Sequence, residues 1–453
     1  MSTLFRSWGV FLFTVLPLVG VAGPSDSFPV ELKVLQQYGG GVRSVALQPP
    51  YVYAGSGDAV QVLRIHEERL VEVAVVELRG FSAFLLEKDG FLYVPLFDRG
   101  LDVVDVRDPS HPRIVHSYET SSAQDTNAWW TSAATVGDLL VVGSGNGGSP
   151  DSGLHIFDIS SPADAFLVSH FPNTGGWPRS VAASDSTVYT GLGEPGRLGI
   201  LDITDPQTPI SQGTIGTPNG AETRALLVEG TTLYVANSFQ TGLSVYDIST
   251  PMSPSLVTTR DTPSLTDGLA TFGSNLYLTD FWDSPGILVY DIATPEAPSL
   301  VRGIDVTGNA AGNPAAEGGY LAVPTSTGLA LYSLATPSNP SLLDIWQPEE
   351  PVDDVYRMAA DGERVIVANF RSGIKGFRLT EDRLREVATL RTRGEANDVA
   401  WNAPYAYVSG NWASTIDVVE WTSDDRLLLQ REIDPPSGGI PRLLVREIGR
   451  AHV

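Results

Sequence analysis

Residues 243–255 read LSVYDISTPMSPS, and the reading of this stretch decides the fold. Leu243, Val245 and Tyr246 lie in a short alternating run with β-forming side chains, which reads as a strand. Asp247, Ile248 and Ser249 end it. Pro251 and Pro254 then exclude helix and remove two ladder donors, so residues 249–255 form a turn. Residues 256–259 (LVTT) resume as a strand. Upstream, the runs 224–229 and 233–237, parted by Gly230, supply two more. The unit is four short strands joined by tight turns, with no amphipathic stretch long enough for a helix between them.

The phrase recurs. It reads LDVVDVRDPSHPR at 101–113, LHIFDISSPADAF at 154–166, LGILDITDPQTPI at 198–210, ILVYDIATPEAPS at 287–299 and LALYSLATPSNPS at 329–341. The anchors Asp105, Asp158, Asp202, Asp247 and Asp291, followed by Ser333 and Arg378, advance by 53, 44, 45, 44, 42 and 45 residues. Two polar insertions, 119–127 and 144–152, take up the long first step. Weaker copies at 60–65 and 416–421 bring the count to nine units between about residue 40 and residue 434. Four strands in a period of this length predict an all-β chain, a β-propeller of four-stranded blades. The Asp positions are expected to be structural. A carboxylate ending a strand accepts hydrogen bonds from the amides of the turn that follows, and repeat phrases encode stacking.

These phrases resemble those of the LVIVD-repeat family. The resemblance covers most of the chain after residue 40; it is strong in units two to seven and degraded in units one, eight and nine, which lack the Asp-x-x-x-Pro turn. It implies a secreted or surface-attached bacterial or archaeal β-propeller and carries no catalytic motif with it. Units one and eight both replace the proline turn by an acidic one, VQVLRIHEERLVEV from Val60 and IKGFRLTEDRLREV from Ile374. A pattern that restarts after seven units suits a seven-bladed ring followed by the start of a second; the competing layout is one ring of eight or nine blades. The expected organisation is a signal peptide at 1–22, units one to seven at 30–345, further blade units at 346–446 and a non-native tail at 447–453. The run 30–37 has no partner in unit one and is free to complete another blade.

Both ends carry their own signals. Arg6 precedes an apolar run at 8–21, and Gly20-Val21-Ala22 offers small residues for cleavage after Ala22. This reads as a secretory signal, so an exported location is expected (extracellular, cell surface or periplasm), with no membrane span after its removal. The chain has no Cys, so stability is expected to come from core burial alone. Residues 447–453, EIGRAHV, fit no blade strand and match one reading frame of a common sequencing-adapter oligonucleotide, so the chain is read as a gene fragment whose native sequence continues past residue 446.

Charge narrows the partners. The formal net charge is −24, from 53 acidic and 29 basic residues. Polyanions are repelled, which disfavours nucleic acid and anionic membrane surfaces. A protein or carbohydrate ligand is expected, with no cofactor and no metal.

Two groups of residues are candidates. The first residues of each blade's innermost strand can reach the central channel; the alignment places Arg43, Ser82, Thr131, Arg179, Arg224, Asp267, Asn313, Asp354 and Asp398 there. In a seven-unit ring, three Arg would then face one Asp, a funnel suited to an anion or carboxylate or to internal pairing. The second group is aromatic and sits in loops: Trp129, Trp130, Trp177, Phe239, Phe281, Trp282, Phe370 and Trp412. Aromatic rings beside Asn, Asp and Ser suit sugar faces or protein hot spots, or they fill gaps between blades. Six His form no His-x-x-x-His pair, and no Gly-x-Ser-x-Gly or P-loop occurs. The reading is therefore a non-catalytic scaffold that binds protein or glycan on its loop rim. The alternative is a channel-centred hydrolase or lactonase-like enzyme.

Overall fold

The computed structural model describes residues 10–14, 33–38, 42–97, 100–119, 130–145, 152–172, 176–193, 196–238, 241–263, 265–280, 286–307, 309–310, 312–347, 357–361, 363–368, 373–379, 384–392, 395–411 and 416–433 of the chain. Among them, nine four-stranded antiparallel sheets follow one another, spanning 44–77, 86–118, 130–172, 178–216, 223–260, 266–304, 315–346, 357–390 and 395–433. Each sheet is a meander of consecutive strands. In the fifth, Thr223–Glu229, Thr232–Asn237, Leu243–Asp247 and Ser255–Arg260 pair in that order, with Leu226 opposite Val235 and Val245 opposite Thr258. Two three-residue helical turns, Pro162–Asp164 and Pro218–Gly220, are the helical elements among the described residues. Every sheet is complete with its own strands. Lys33–Tyr38, which overlaps the run read as free to complete a blade, instead pairs with Val10–Thr14, inside the stretch read as a signal.

Two compact units divide the chain, one from Gly41–Gln347 and one from Met1–Gly40 with Pro348–Val453. In the first, the middle strands of every sheet are buried on both faces, because each sheet shares a hydrophobic cluster with the next. Tyr53 and Val62 of the first sheet pack with Leu92 and Val104 of the second, and Tyr93 and Val103 with Trp130 and Phe157 of the third. Val141 and Ile156 then meet Val188 and Leu201 of the fourth, and Tyr189 and Ile200 meet Leu233 and Tyr246 of the fifth. Tyr234 and Val245 pack on Leu276 and Leu288 of the sixth, and Tyr277 and Val289 on Leu321 and Ala330 of the seventh. The circuit returns to its start, since Leu329 and Leu331 of the seventh sheet share a cluster with Val52 and Leu63 of the first. Across that junction the Leu70 amide donates to the Asp344 carboxylate at 2.8 Å. In the second unit, Ile366 and Ile374 of the eighth sheet pack with Val408, Val419 and Trp421 of the ninth.

The repeated phrase performs two tasks here. The first is the expected one. The carboxylate oxygen of Asp158 accepts from the Ser160 amide at 2.9 Å and its hydroxyl at 2.6 Å; Asp202 accepts likewise from Thr204 at 2.9 and 2.6 Å. Asp247 and Asp291 accept from the amides of Ser249 and Ala293, each at 2.8 Å. In the seventh sheet Ser333 takes the same role toward the Ala335 amide at 3.2 Å. The second task joins sheets. Carbonyls of the turn prolines accept hydrogen bonds from the preceding sheet: Pro206 from the Ser169 hydroxyl at 2.6 Å, Pro251 from the Tyr189 hydroxyl at 2.9 Å, Pro298 from Arg260 Nε at 2.8 Å and Pro337 from the Tyr277 hydroxyl at 2.9 Å. Burial, as the main cause, pushes the Tyr189 phenol up to about 12 and raises that of Tyr277 as well.

Two expectations follow. The turn hydrogen bonds hold the carboxyls of Asp158 and Asp202 below the ordinary value, chiefly through the Ser160 and Thr204 hydroxyls, and that of Asp247 chiefly through the Ser249 amide. A depressed carboxyl stabilises the fold above its unfolded value of about 3.9 and loses that contribution as pH falls through the lower folded value. Denaturant midpoints measured from pH 7 down to below pH 4 should therefore fall in the wild type, and fall less steeply in an Asp158→Asn, Asp202→Asn, Asp247→Asn variant. Tyr277→Phe removes the donor to the Pro337 carbonyl and should lower stability by about 0.5–1.5 kcal/mol in urea unfolding.

Candidate functional site

The first strands of the third to sixth sheets, Trp130–Val136, Pro178–Ser184, Thr223–Glu229 and Thr266–Phe272, pack side by side and form the inner layer of the first unit. Their contacts are close. Thr131 Oγ1 donates to the Pro178 carbonyl at 3.0 Å, and the Val181 amide donates to Ser132 Oγ at 3.1 Å. Each of the four strands has an irregularity at its second residue, where the strand register skips Thr131, Arg179, Arg224 and Asp267. A bulge of this kind leaves one residue out of the ladder and re-aims its side chain. The four bulged residues are four of those expected at the channel.

Three of them form a charged chain across neighbouring sheets. Arg179 is ion-paired with Glu222, which stands just before the fifth sheet, and both side chains are largely buried. Arg224 Nε lies 3.7 Å from the Asp267 carboxylate, with the Arg224 side chain 10% exposed. Asp267 is held in turn by the Gly312 amide, which donates to its other oxygen at 2.9 Å. Burial first, then the neighbouring charge of Arg224, pushes the Arg179 guanidinium down to about 10 against the opposing pull of Glu222 and Asp267. The Trp177 ring sits 5.5 Å from the Arg179 guanidinium carbon, in the range of a cation–π contact. Trp177 also packs flush on Gly145 and Gly193, where any added side chain would collide with it.

The remaining channel candidates divide. Arg43 is exposed, and its residue neighbours the seventh sheet through backbone, since Gly312 abuts the Arg43 carbonyl and Asn313 bridges Ser44. Ser82 is buried beside Gly55 and Ser44. Asp354 lies outside the described residues. In the ninth sheet the irregularity falls at Asn397, between Ala396 and Asp398, while Asp398 pairs with Ser409. The residue matching Asp267 there is thus Asn397, one place earlier than the alignment put it. The repeat pattern does not single out Glu222. It precedes its strand, and what marks it, an acid two residues before Arg224, acquires meaning only when the neighbouring sheet delivers Arg179.

Among the rim candidates, Trp129, Phe239, Phe281, Trp282, Phe370 and Trp412 lie outside the described residues. Trp177 is half-buried at the site just described. Trp130 requires a correction. It is 0% exposed and belongs to the cluster between the second and third sheets, so it is a packing residue and not a rim residue. Its ring stacks on His155 at 4.6 Å, and His155 stacks on His170 at 4.4 Å. The strand alternation accounts for this: Trp130 opens the inner strand of its blade, whose apolar face must be covered. Trp130→Ala should cost about 3–5 kcal/mol of stability, read from chemical denaturation, as for other large-to-small core changes.

Comparison with known proteins agrees with the architecture. The family described as LVIVD repeat matches residues 88–120 and 220–262. No curated protein matches the sequence. Among solved structures, PorZ of Porphyromonas gingivalis, a bacterial surface component of the type-IX secretion system, superposes with a TM-score of 0.55 at 14% identity, over 87% of this chain and 52% of that one. The chain thus spans about half of PorZ. The computationally designed Ika8 protein gives a TM-score of 0.49 at 14% identity over 75% of this chain and 96% of its own. BamB of Moraxella catarrhalis gives 0.43 at 15% identity over 75% and 94%. At these identities the likeness speaks of fold alone. The chain carries LVIVD repeats, and its fold is that of a β-propeller.

Proposed function

We propose that this chain is an exported, non-catalytic binding scaffold that holds a protein or glycan ligand at the loop rim around Trp177. On this reading, residues 41–347 are a seven-bladed ring, and the sheets at 357–390 and 395–433 are the first blades of a second. The observation that carries the proposal is the pairing inside the inner layer. Arg179 is engaged by Glu222 and Asp267 by the Gly312 amide, with Arg224 Nε 3.7 Å from the Asp267 carboxylate. Side chains committed to one another in this way are poor general acids and bases, while a half-buried Trp on a rigid scaffold makes a good anchor. The apolar stretch at 8–21 and the small residues before Gly23 support export, and the surface setting of PorZ is in keeping with it.

The test is Trp177→Ala. Wild-type and variant proteins are compared for retention on immobilised glycans and bacterial surface proteins, with melting followed in parallel. The expected outcome is binding weakened by about 2 kcal/mol, roughly thirtyfold, as for a hot-spot Trp. Retention unchanged by the substitution would refute Trp177 as the anchor.

A further inference from the structure

We propose that Arg179 and Arg224 together form a binding site for a single carboxylate, which deepens the binding reading above by naming the chemistry of one contact. Two guanidiniums lie on adjacent inner strands, with side chains 12% and 10% exposed. Each guanidinium offers five N–H donors in a planar fork and no acceptor. Glu222 serves Arg179. Asp267 lies 3.7 Å from Arg224 Nε, beyond hydrogen-bonding distance, and one of its oxygens is already taken by the Gly312 amide. Arg224 Nε is buried and finds no hydrogen-bond acceptor among the described residues. Buried donors of this kind are normally satisfied, so this nitrogen is short of an acceptor.

Charge points the same way. Arg179 and Arg224 repel each other, and burial adds to that repulsion by withdrawing water. A carboxylate accepting from both forks would relieve both terms, and planar two-pronged recognition is what distinguishes Arg from Lys. On a chain of net charge −24 a polyanion is repelled, so the site selects a small anion or a pendant carboxylate. The bulges explain how it arises: the strand register skips Arg179 and Arg224, the second residues of their strands, by the same irregularity in consecutive sheets. The carboxylate is either that of a free small acid or that borne by a sugar ring resting near Trp177.

The experiment titrates the purified protein at low ionic strength with sodium acetate, sodium D-glucuronate and D-glucose, by calorimetry and by melting. Both acids are expected to bind saturably and to raise the melting temperature, and glucose to do neither. Glucuronate bound more tightly than acetate assigns the site to a sugar acid; equal affinities assign it to a free small acid. Arg224→Gln is expected to weaken acid binding about tenfold or more, the effect of losing a charge-assisted hydrogen bond. Should that variant not fold, Arg224→Lys keeps the charge, removes the fork, and is expected to weaken binding several-fold. No saturable binding of either acid, or wild-type affinity in whichever variant folds, overturns the proposal. Because the probes are small acids, this outcome is independent of whether Trp177→Ala alters macromolecular retention.

Discussion

The middle strands of each sheet in the first unit are apolar on both faces, and a sheet with two apolar faces cannot stand alone in water. Val141, Val188, Leu233 and Leu276 all sit at 0% exposure because a neighbouring sheet covers them. Each buried side chain of this size contributes roughly 1.5–3 kcal/mol, so a first or last sheet left uncovered would forfeit a large part of its stability. The packing of Leu329 and Leu331 against Val52 and Leu63 removes that exposed end. Closure is thus the constraint on which the rest depends, and it is met by side-chain burial between sheets that each keep their own four strands.

Closure also sets what happens at the inner and outer layers. Fourth strands lie outside and tolerate exposed side chains such as Val75, Ile210 and Leu300. First strands are crowded together, and crowding explains the small residues opposite them. A side chain at Gly191 would overlap Ser180 and Thr223 of adjacent inner strands. The bulges at Thr131, Arg179, Arg224 and Asp267 belong to this layer, since a strand that starts with an extra residue can turn one polar side chain out of a ladder too tight to hold it. The same packing that closes the circuit of sheets in the first unit therefore gathers charge, and it does so where water is scarce and each ion must find a partner.

The turn phrase links the two levels. Within a blade, Asp202 fastens the Thr204 amide; between blades, the Pro251 carbonyl receives the Tyr189 hydroxyl. A proline has a carbonyl to satisfy and no amide to offer, so placing it in a turn leaves an acceptor facing outward from its own strand pair. The preceding sheet supplies the donor, which ties one sheet to the next.

The amino-acid sequence by itself determined the four-stranded unit and its turns. Alternation in LSVYD, the punctuation of Pro251 and Pro254 and the spacing of the Asp anchors are local signals, and local sterics and hydrogen bonding are enough to obey them. It also placed Arg179, Arg224 and Asp267 at the inner strands, because repeat alignment carries position from one blade to the next. What the tertiary structure decided was which groups meet. Glu222 became a partner of Arg179 only through the packing of the fourth sheet on the fifth. Trp130, adjacent in sequence to an insertion, turned inward onto His155 because the second and third sheets needed a large ring between them. In the ninth sheet Asn397, not Asp398, takes the bulged place, a one-residue difference that leaves composition and period unchanged. Contacts between sheets join residues some forty positions apart, and no periodicity within one blade records which side chain of the next will be waiting there.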